Sequence, residues 1–365
     1  MELVRKNIRS VEAYVAGKPI EETKRELGLS SVIKLASNEN PFGPSPKALA
    51  AMKKAIGEVN RYPDSQSFYL KKKLALALRI KPENIVLGNG SDELIDILIK
   101  TFVEDDETIL TSENTFVEYA IIARINNKKL LTVPLKDFRY DLAALKRKIT
   151  AKTKLVFIAN PNNPTGTYVG KKAFDAFLSG LPRTTIIVLD EAYDTFIDVK
   201  DYPRGIAYLG KKNVIAMKTF SKAYGLAGAR VGYAIADARW TPYLERTRQP
   251  FNINLVAQAA AQAALDDTAF LARIRRETLK GKRFLYDSCT ALGLPYVPSV
   301  TNFVLIDVKR DCREVFKALL KQGVIVRDMK QYHLDTFIRV TIGTEAENKR
   351  FVRTLTRIIG RQHSR

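Results

Sequence analysis

The chain has 365 residues, with 60 lysines and arginines against 39 aspartates and glutamates, a formal net charge of +21. Hydrophobic residues make up 46% and charged residues 27%, ordinary globular proportions that exclude a disordered chain, a collagen-like repeat and a disulfide scaffold. Two cysteines, Cys289 and Cys312, and two histidines, His333 and His363, are too few for a Cys/His zinc cage, and no metal is expected. The first ten residues are charged from the start and no run of about 18 apolar residues occurs, so a cytoplasmic protein without membrane attachment is expected.

The positive surplus invites a nucleic-acid reading. The basic residues are nonetheless scattered, and the densest run, Lys71 to Lys73, falls in a helical pattern with Leu70, Leu74 and Leu78. Such a run reads as a solvated helix face. With no zinc-finger spacing, RNP-type motif or basic heptad array, no nucleic-acid partner is expected, and the charge favours small anionic substrates.

In chain order, residues 1–45 read as an extended arm with loops around Asn38-Glu39-Asn40-Pro41-Phe42-Gly43-Pro44. Residues 46–247 alternate helical patterns with short apolar runs, and strands are predicted at 85–87, 108–111, 154–159, 185–189, 213–217 and 231–236. Within 92–103, Leu94, Leu98 and Phe102 recur every fourth residue beside Ile95 and Ile99, a helix face that follows Gly88-Asn89-Gly90-Ser91, where Ser91 or Asp92 would cap it. Strand, turn and helix repeated in this way predict an α/β large domain, a mainly parallel sheet sandwiched by helices. Residues 248–365 change texture. Helices are predicted at 255–265, 270–292 and 313–322 and strands at 302–308, 324–327 and 337–341, a smaller α+β domain.

Four motifs fall where predicted strands end. Gly88-Asn89-Gly90-Ser91-Asp92-Glu93 opens a helix whose first amides suit an anion, although the third glycine of a dinucleotide fingerprint is absent. Asn160-Pro161-Asn162-Asn163-Pro164-Thr165-Gly166 is a stiff loop at the edge where open α/β sheets collect active-site groups. Asp190-Glu191-Ala192-Tyr193 puts an acid at the end of a very apolar strand. Thr219-Phe220-Ser221-Lys222 is followed eight residues after the lysine by Arg230. Each taken alone is compatible with an ordinary turn, cap or surface residue.

Together, and in this order, the motifs resemble those of the fold-type I pyridoxal-phosphate-dependent aminotransferases. The likeness takes in nearly the whole chain, including Ala36-Ser37-Asn38-Glu39-Asn40-Pro41-Phe42-Gly43, Asn60-Arg61-Tyr62-Pro63, Val326-Arg327-Asp328 and Ile338-Arg339-Val340-Thr341. Within that group it is similar to members that transaminate histidinol phosphate with 2-oxoglutarate in histidine biosynthesis. Aromatic amino-acid aminotransferases and phosphothreonine decarboxylases share similar motifs and are the alternatives. A basic nucleic-acid binder is the alternative from another class.

The resemblance implies pyridoxal 5'-phosphate as cofactor, with Lys222 binding its aldehyde covalently and then shuttling a proton, and Asp190 pairing with the ring nitrogen. It implies Tyr193 and Asn163 at the ring oxygen and Phe116 stacked on the ring, where the family usually has tyrosine. It implies Ser91, Asp92, Thr219, Ser221 and Arg230 around the cofactor phosphate, joined by Tyr62 from a neighbouring subunit, hence a homodimer. Tyr14, Asn38, Asn163, Arg327 and Arg339 are implied for the substrates, histidinol phosphate and glutamate or 2-oxoglutarate.

Overall fold

The computed structural model describes residues 3–13 and 17–360. Its strands, in chain order, are β1 (Ile33–Lys34), β2 (Ile85–Gly88), β3 (Thr108–Ser112), β4 (Lys129–Val133), β5 (Leu135–Lys136), β6 (Arg139–Tyr140), β7 (Thr153–Ala159), β8 (Ile186–Asp190), β9 (Val214–Thr219), β10 (Gly232–Ile235), β11 (Tyr296–Val297), β12 (Phe303–Asp307), β13 (Val324–Ile325), β14 (Arg327–Asp328) and β15 (Phe337–Thr341). Seven of them form one sheet in the order β2-β10-β9-β8-β7-β3-β4. Strands β9, β8, β7, β3 and β4 pair in parallel, whereas β10 runs antiparallel to both β9 and β2. Six strands therefore point one way, and their C-terminal ends share one edge.

The inner strands are apolar throughout because helices cover both faces of a parallel sheet. Every residue of β8 and β9 is buried, and so is all of β7 except Lys154. The helix Gly90–Phe102 packs Leu94, Ile95, Leu98 and Ile99 into this core. It starts two residues before the predicted position. Its flanking residue, Asn89, makes no side-chain cap, contrary to the expectation that Ser91 or Asp92 would provide one.

The second body is a four-stranded antiparallel sheet, β11-β12-β15-β14, covered by the helices Thr268–Ala291, Cys312–Lys321 and Glu345–Gly360. Two boundaries depart from the sequence expectation. The segment 33–35 is not loose arm: β1 pairs in parallel with β13, and Leu35 is buried in the small body's core. Beyond residue 247, the helix Leu255–Leu265 packs its alanines against the helices Pro46–Ala55 and Phe68–Leu78, so it belongs with the large body. The arm also carries two short helices, Lys6–Arg9 and Ile20–Leu27, in place of an unbroken extended run.

The triple-lysine segment is also more tied down than a solvated face. Lys71 pairs with Glu245 at 2.6 Å, Lys73 pairs with Asp266, and Lys72 lies over the Phe68 ring. Leu70 and Leu74 are fully buried beneath it.

Candidate active site

A cavity of 310 Å³ opens at the shared strand edge, between the large sheet and the small one. At β2, Gly88 leads into the helix Gly90–Phe102. Gly90 has φ +83°, and a Cβ there would stand 2.1 Å from the Arg230 guanidinium. Only glycine lets that guanidinium lie against the helix start. Arg230 reaches Asp92 at 2.9 Å, and Thr219 and Ser221 line the same end. An uncapped helix N-terminus, an arginine and two hydroxyls make a cradle for a dianion such as phosphate.

At β8, Asp190 is buried. Its carboxylate accepts from the Tyr119 hydroxyl at 2.7 Å and from the Ala192 amide at 3.1 Å. Burial pushes its pKa up to about 6, against the pull of these two hydrogen bonds. Three residues on, Tyr193 is buried with its ring edge-on to Phe303, and its hydroxyl accepts from Asn38 Nδ2 at 2.9 Å. Burial pushes the Tyr193 phenol up to about 12, opposed by Arg339 and by the Asn38 hydrogen bond. It is therefore a protonated donor at neutral pH. Because Asn38 occupies a lone pair of the hydroxyl, the phenol proton is left to point into the cavity. Asn38 lines the cavity as expected, and its amide nitrogen is held by Tyr193.

Lys222 follows β9, and its amine donates to the Ser37 carbonyl at 3.3 Å and lies 5.8 Å from the Tyr193 ring centroid. The amine, the Asp190 carboxylate and the Tyr193 hydroxyl thus converge on one space from two adjacent strand ends, those of β9 and β8. Asn163 lines it from the loop after β7, and Phe116 from the loop after β3.

The small sheet contributes cations. Arg327 and Arg339 stand directly opposite each other on β14 and β15. Like charges in facing positions are unfavourable unless an anion sits between or near them. The acids that would otherwise neutralise Arg327 are engaged elsewhere, Asp328 near Arg313 and Asp335 with Lys330. Arg339 is buried, donates to Asn163 Oδ1 and to the Ala36 carbonyl, and lies over the Phe303 ring. With its oxygen taken by Arg339, Asn163 turns its amide nitrogen, a donor, elsewhere.

Two expected positions are not among the cavity-lining residues described. Tyr14 is outside the described residues. Tyr62 is 82% exposed, stacked on Phe251 at 4.7 Å, and does not line the cavity of its own chain. Sequence reasoning missed Tyr119 and also Lys218, which is buried 3.0 Å from Glu191 and against Asp194. Burial works to lower the Lys218 pKa, and the two acids outweigh it and raise it. The ion triad locks the loop after β8 that carries Tyr193. A trace of Tyr119 is its three-residue spacing from Phe116, which meets it edge-on at 5.6 Å.

The model for aminotransferase class I and II matches residues 30–355. The histidinol-phosphate aminotransferase of Moorella thermoacetica is 48% identical over 97% of this chain and 92% of its own length. That of Anaeromyxobacter sp. is 46% identical over 99% of this chain and 100% of its own. Among solved structures, the histidinol-phosphate aminotransferase from Sinorhizobium meliloti in complex with pyridoxal-5'-phosphate superposes with a TM-score of 0.91 at 31% identity, covering 99% of this chain and 98% of that one.

Proposed function

The chain belongs to the class I and II aminotransferase family, and on that premise we propose that it moves an amino group between histidinol phosphate and 2-oxoglutarate, giving imidazole-acetol phosphate and glutamate. The observation that carries this reading is the 46–48% identity to histidinol-phosphate aminotransferases over nearly the whole chain. The arginine pair facing across β14 and β15 accords with it, since every substrate and product of this reaction is anionic.

The residues present fit pyridoxal phosphate as cofactor. Gly90 leaves the space that the cradle needs, the helix start is uncapped, and an amine and a buried acid stand beyond it. Ser91, Asp92, Thr219, Ser221 and Arg230 would hold the phosphate, Phe116 would face the ring, and Lys222 would bind the aldehyde. When bound, the cofactor supplies an electron sink that weakens bonds at the substrate's amine-bearing carbon. Asp190 keeps a negative charge beside the ring nitrogen. Tyr193 and Asn163 would supply hydrogen-bond donors to its ring oxygen. The Lys222 amine would also serve as the base that takes the proton from the substrate's amine-bearing carbon. Arg339 and Arg327 would orient the anionic end, with Asn38 beside them on the substrate side. The two half-reactions alternate in one pocket.

A second copy of the chain completes each site by bringing its Tyr62 to the phosphate. Support comes from the exposed apolar side chains around it, Ile56, Val59, Phe68 and Tyr69, which a monomer would leave in water. The two cysteines are free and buried, which suits a reducing compartment, and we set the reaction in the cytoplasm. No helix among the described residues is long and apolar enough to cross a membrane.

The test is a half-reaction panel. The cofactor-loaded protein is mixed in turn with histidinol phosphate, phenylalanine, tyrosine and phosphothreonine, and the cofactor absorbance is followed. Histidinol phosphate should react fastest, by a wide margin in rate over concentration. A faster phenylalanine or tyrosine reaction would reassign the protein as an aromatic aminotransferase, and carbon dioxide release from phosphothreonine would reassign it as a decarboxylase.

A further inference from the structure

Asp190 has to carry a negative charge where charge is costly. It is 5% exposed, on the innermost face of the sheet, with Ala159 of β7 beside it. No lysine or arginine among the described residues lies within ion-pair distance of it. The charged groups that act on it most, Asp92 and Glu191, are acids that oppose its ionisation. Its carboxylate is held by two neutral donors, the Ala192 amide on Oδ1 and the Tyr119 hydroxyl on Oδ2, and the tyrosine bond is the shorter at 2.7 Å.

Tyr119 is built for that contact. It is fully buried near the start of the helix Glu118–Ile125. Its ring is stacked on Phe157 of β7 at 4.8 Å and 18°, and it meets Phe116 edge-on at 90°. The ring is clamped between strand and loop, so the hydroxyl is aimed without a rotamer search. Burial and the neighbouring Asp190 hold the phenol well above its ordinary pKa, so it is a donor at every working pH.

We propose that Tyr119 is a positioning residue for the cofactor ring: its hydroxyl keeps the Asp190 carboxylate charged and directed at the ring nitrogen, while its edge seats Phe116, the residue that stacks on the same ring. The inference rests on the pyridoxal-phosphate reading. One side chain that touches no substrate thereby ties the group under the nitrogen to the group on the ring face.

The experiment compares two ligands on the cofactor-free chain: pyridoxal phosphate, and its 1-deaza analogue, in which a C–H replaces the ring nitrogen. Dissociation constants are measured by absorbance for the wild type and for Tyr119→Phe, which keeps the ring and deletes the hydroxyl. Loss of a hydrogen bond to a charged group predicts about ten- to a hundredfold weaker pyridoxal phosphate binding in Tyr119→Phe. The deaza analogue should bind both proteins within about twofold, because it offers Asp190 no nitrogen to pair with. In an Asp190→Asn background the same Tyr119→Phe change should have no further effect, the mark of two residues acting through one contact. Equal weakening of both ligands would reduce Tyr119 to packing and overturn the proposal, as would unchanged pyridoxal phosphate binding. If the wild type itself binds neither ligand, the cofactor reading falls first and this one with it.

Discussion

At the scale of single residues, the site is a set of charges and donors held away from water, and its costs are measurable. The Asp190 carboxyl, pushed up to about 6 by burial from an ordinary value of 3.8, releases its proton earlier in the unfolded chain than in the folded one. Between about pH 4 and 6 the cofactor-free folded protein holds a proton that the unfolded chain has lost, so stability falls as pH rises through that window. The total is about 3 kcal/mol. Asp190→Asn removes this dependence, so urea midpoints of the variant should gain on those of the wild type between pH 4 and 7. Parallel profiles for the two proteins would refute the assignment. Lys222 makes a sharper test. Lys222→Ala should abolish capture of the cofactor by borohydride, read as added mass on the intact protein, and lower turnover by orders of magnitude. Capture at another lysine with normal turnover would move the role elsewhere. The cavity positions of Lys222 and Asp190 were legible in the sequence because each stands at the end of an apolar strand within a recognisable motif. Tyr119 and Lys218 were not, because their partners lie 71 and 24 residues away and are met only through the packing of β7, β8 and β9.

At the scale of elements, two local geometries decide what the cavity holds. One is the start of the helix Gly90–Phe102. Gly90→Ala would place a methyl group on the Arg230 guanidinium at a backbone angle that alanine disfavours. Cofactor affinity should fall at least tenfold, roughly the worth of one charge-assisted contact, with the far-UV spectrum unchanged; undiminished affinity would mean that the cradle lies elsewhere. The other is the facing of Arg327 and Arg339. Arg339→Ala should raise KM for both substrates and lower kcat/KM roughly ten- to a thousandfold, since it removes a buried cation and also frees Asn163. Arg327→Ala should harm histidinol phosphate, with its dianionic phosphate, more than phenylalanine, with its monoanionic carboxylate, and equal losses would argue against a phosphate role. The strands that frame these sites were readable from apolar runs bounded by turn residues. β4, with only Val133 of its five residues buried, was missed because an edge strand lacks that signal. The arm's pairing of β1 with β13 was missed because two residues joining a strand nearly 300 positions away leave no periodic trace.

At the scale of the whole molecule, the proposed second copy rests on what one chain leaves bare. Its cavity gathers groups from the large sheet, the small sheet and the segment 36–39, yet Tyr62 stays outside it, 82% exposed. Around Tyr62, the helices Pro46–Ala55 and Phe68–Leu78 and the turn between them display Leu49, Ile56, Val59, Phe68, Tyr69 and Leu76 to solvent, while Leu70 and Leu74 on the same segment are fully buried. A segment that is apolar on both its inner and outer faces is one that a second body covers. A twofold arrangement would put the same patch on both partners, so that under the proposal each chain would lend its Tyr62 and receive the other's. The consequence is a complementation test. Lys222→Ala and Tyr62→Ala proteins are each unfolded, mixed in equal amounts and refolded together. In a mixed dimer one site carries both lesions and the other carries neither, so random pairing should return roughly a quarter of the wild-type activity. Neither variant refolded alone should exceed its own low level. Because the restored site draws Lys222 from one chain and Tyr62 from its partner, activity above the sum of the two variants has no source within a monomer. A fully active monomer in sedimentation, or a mixture no better than its parts, would place every working group within one chain and leave the apolar face to another purpose.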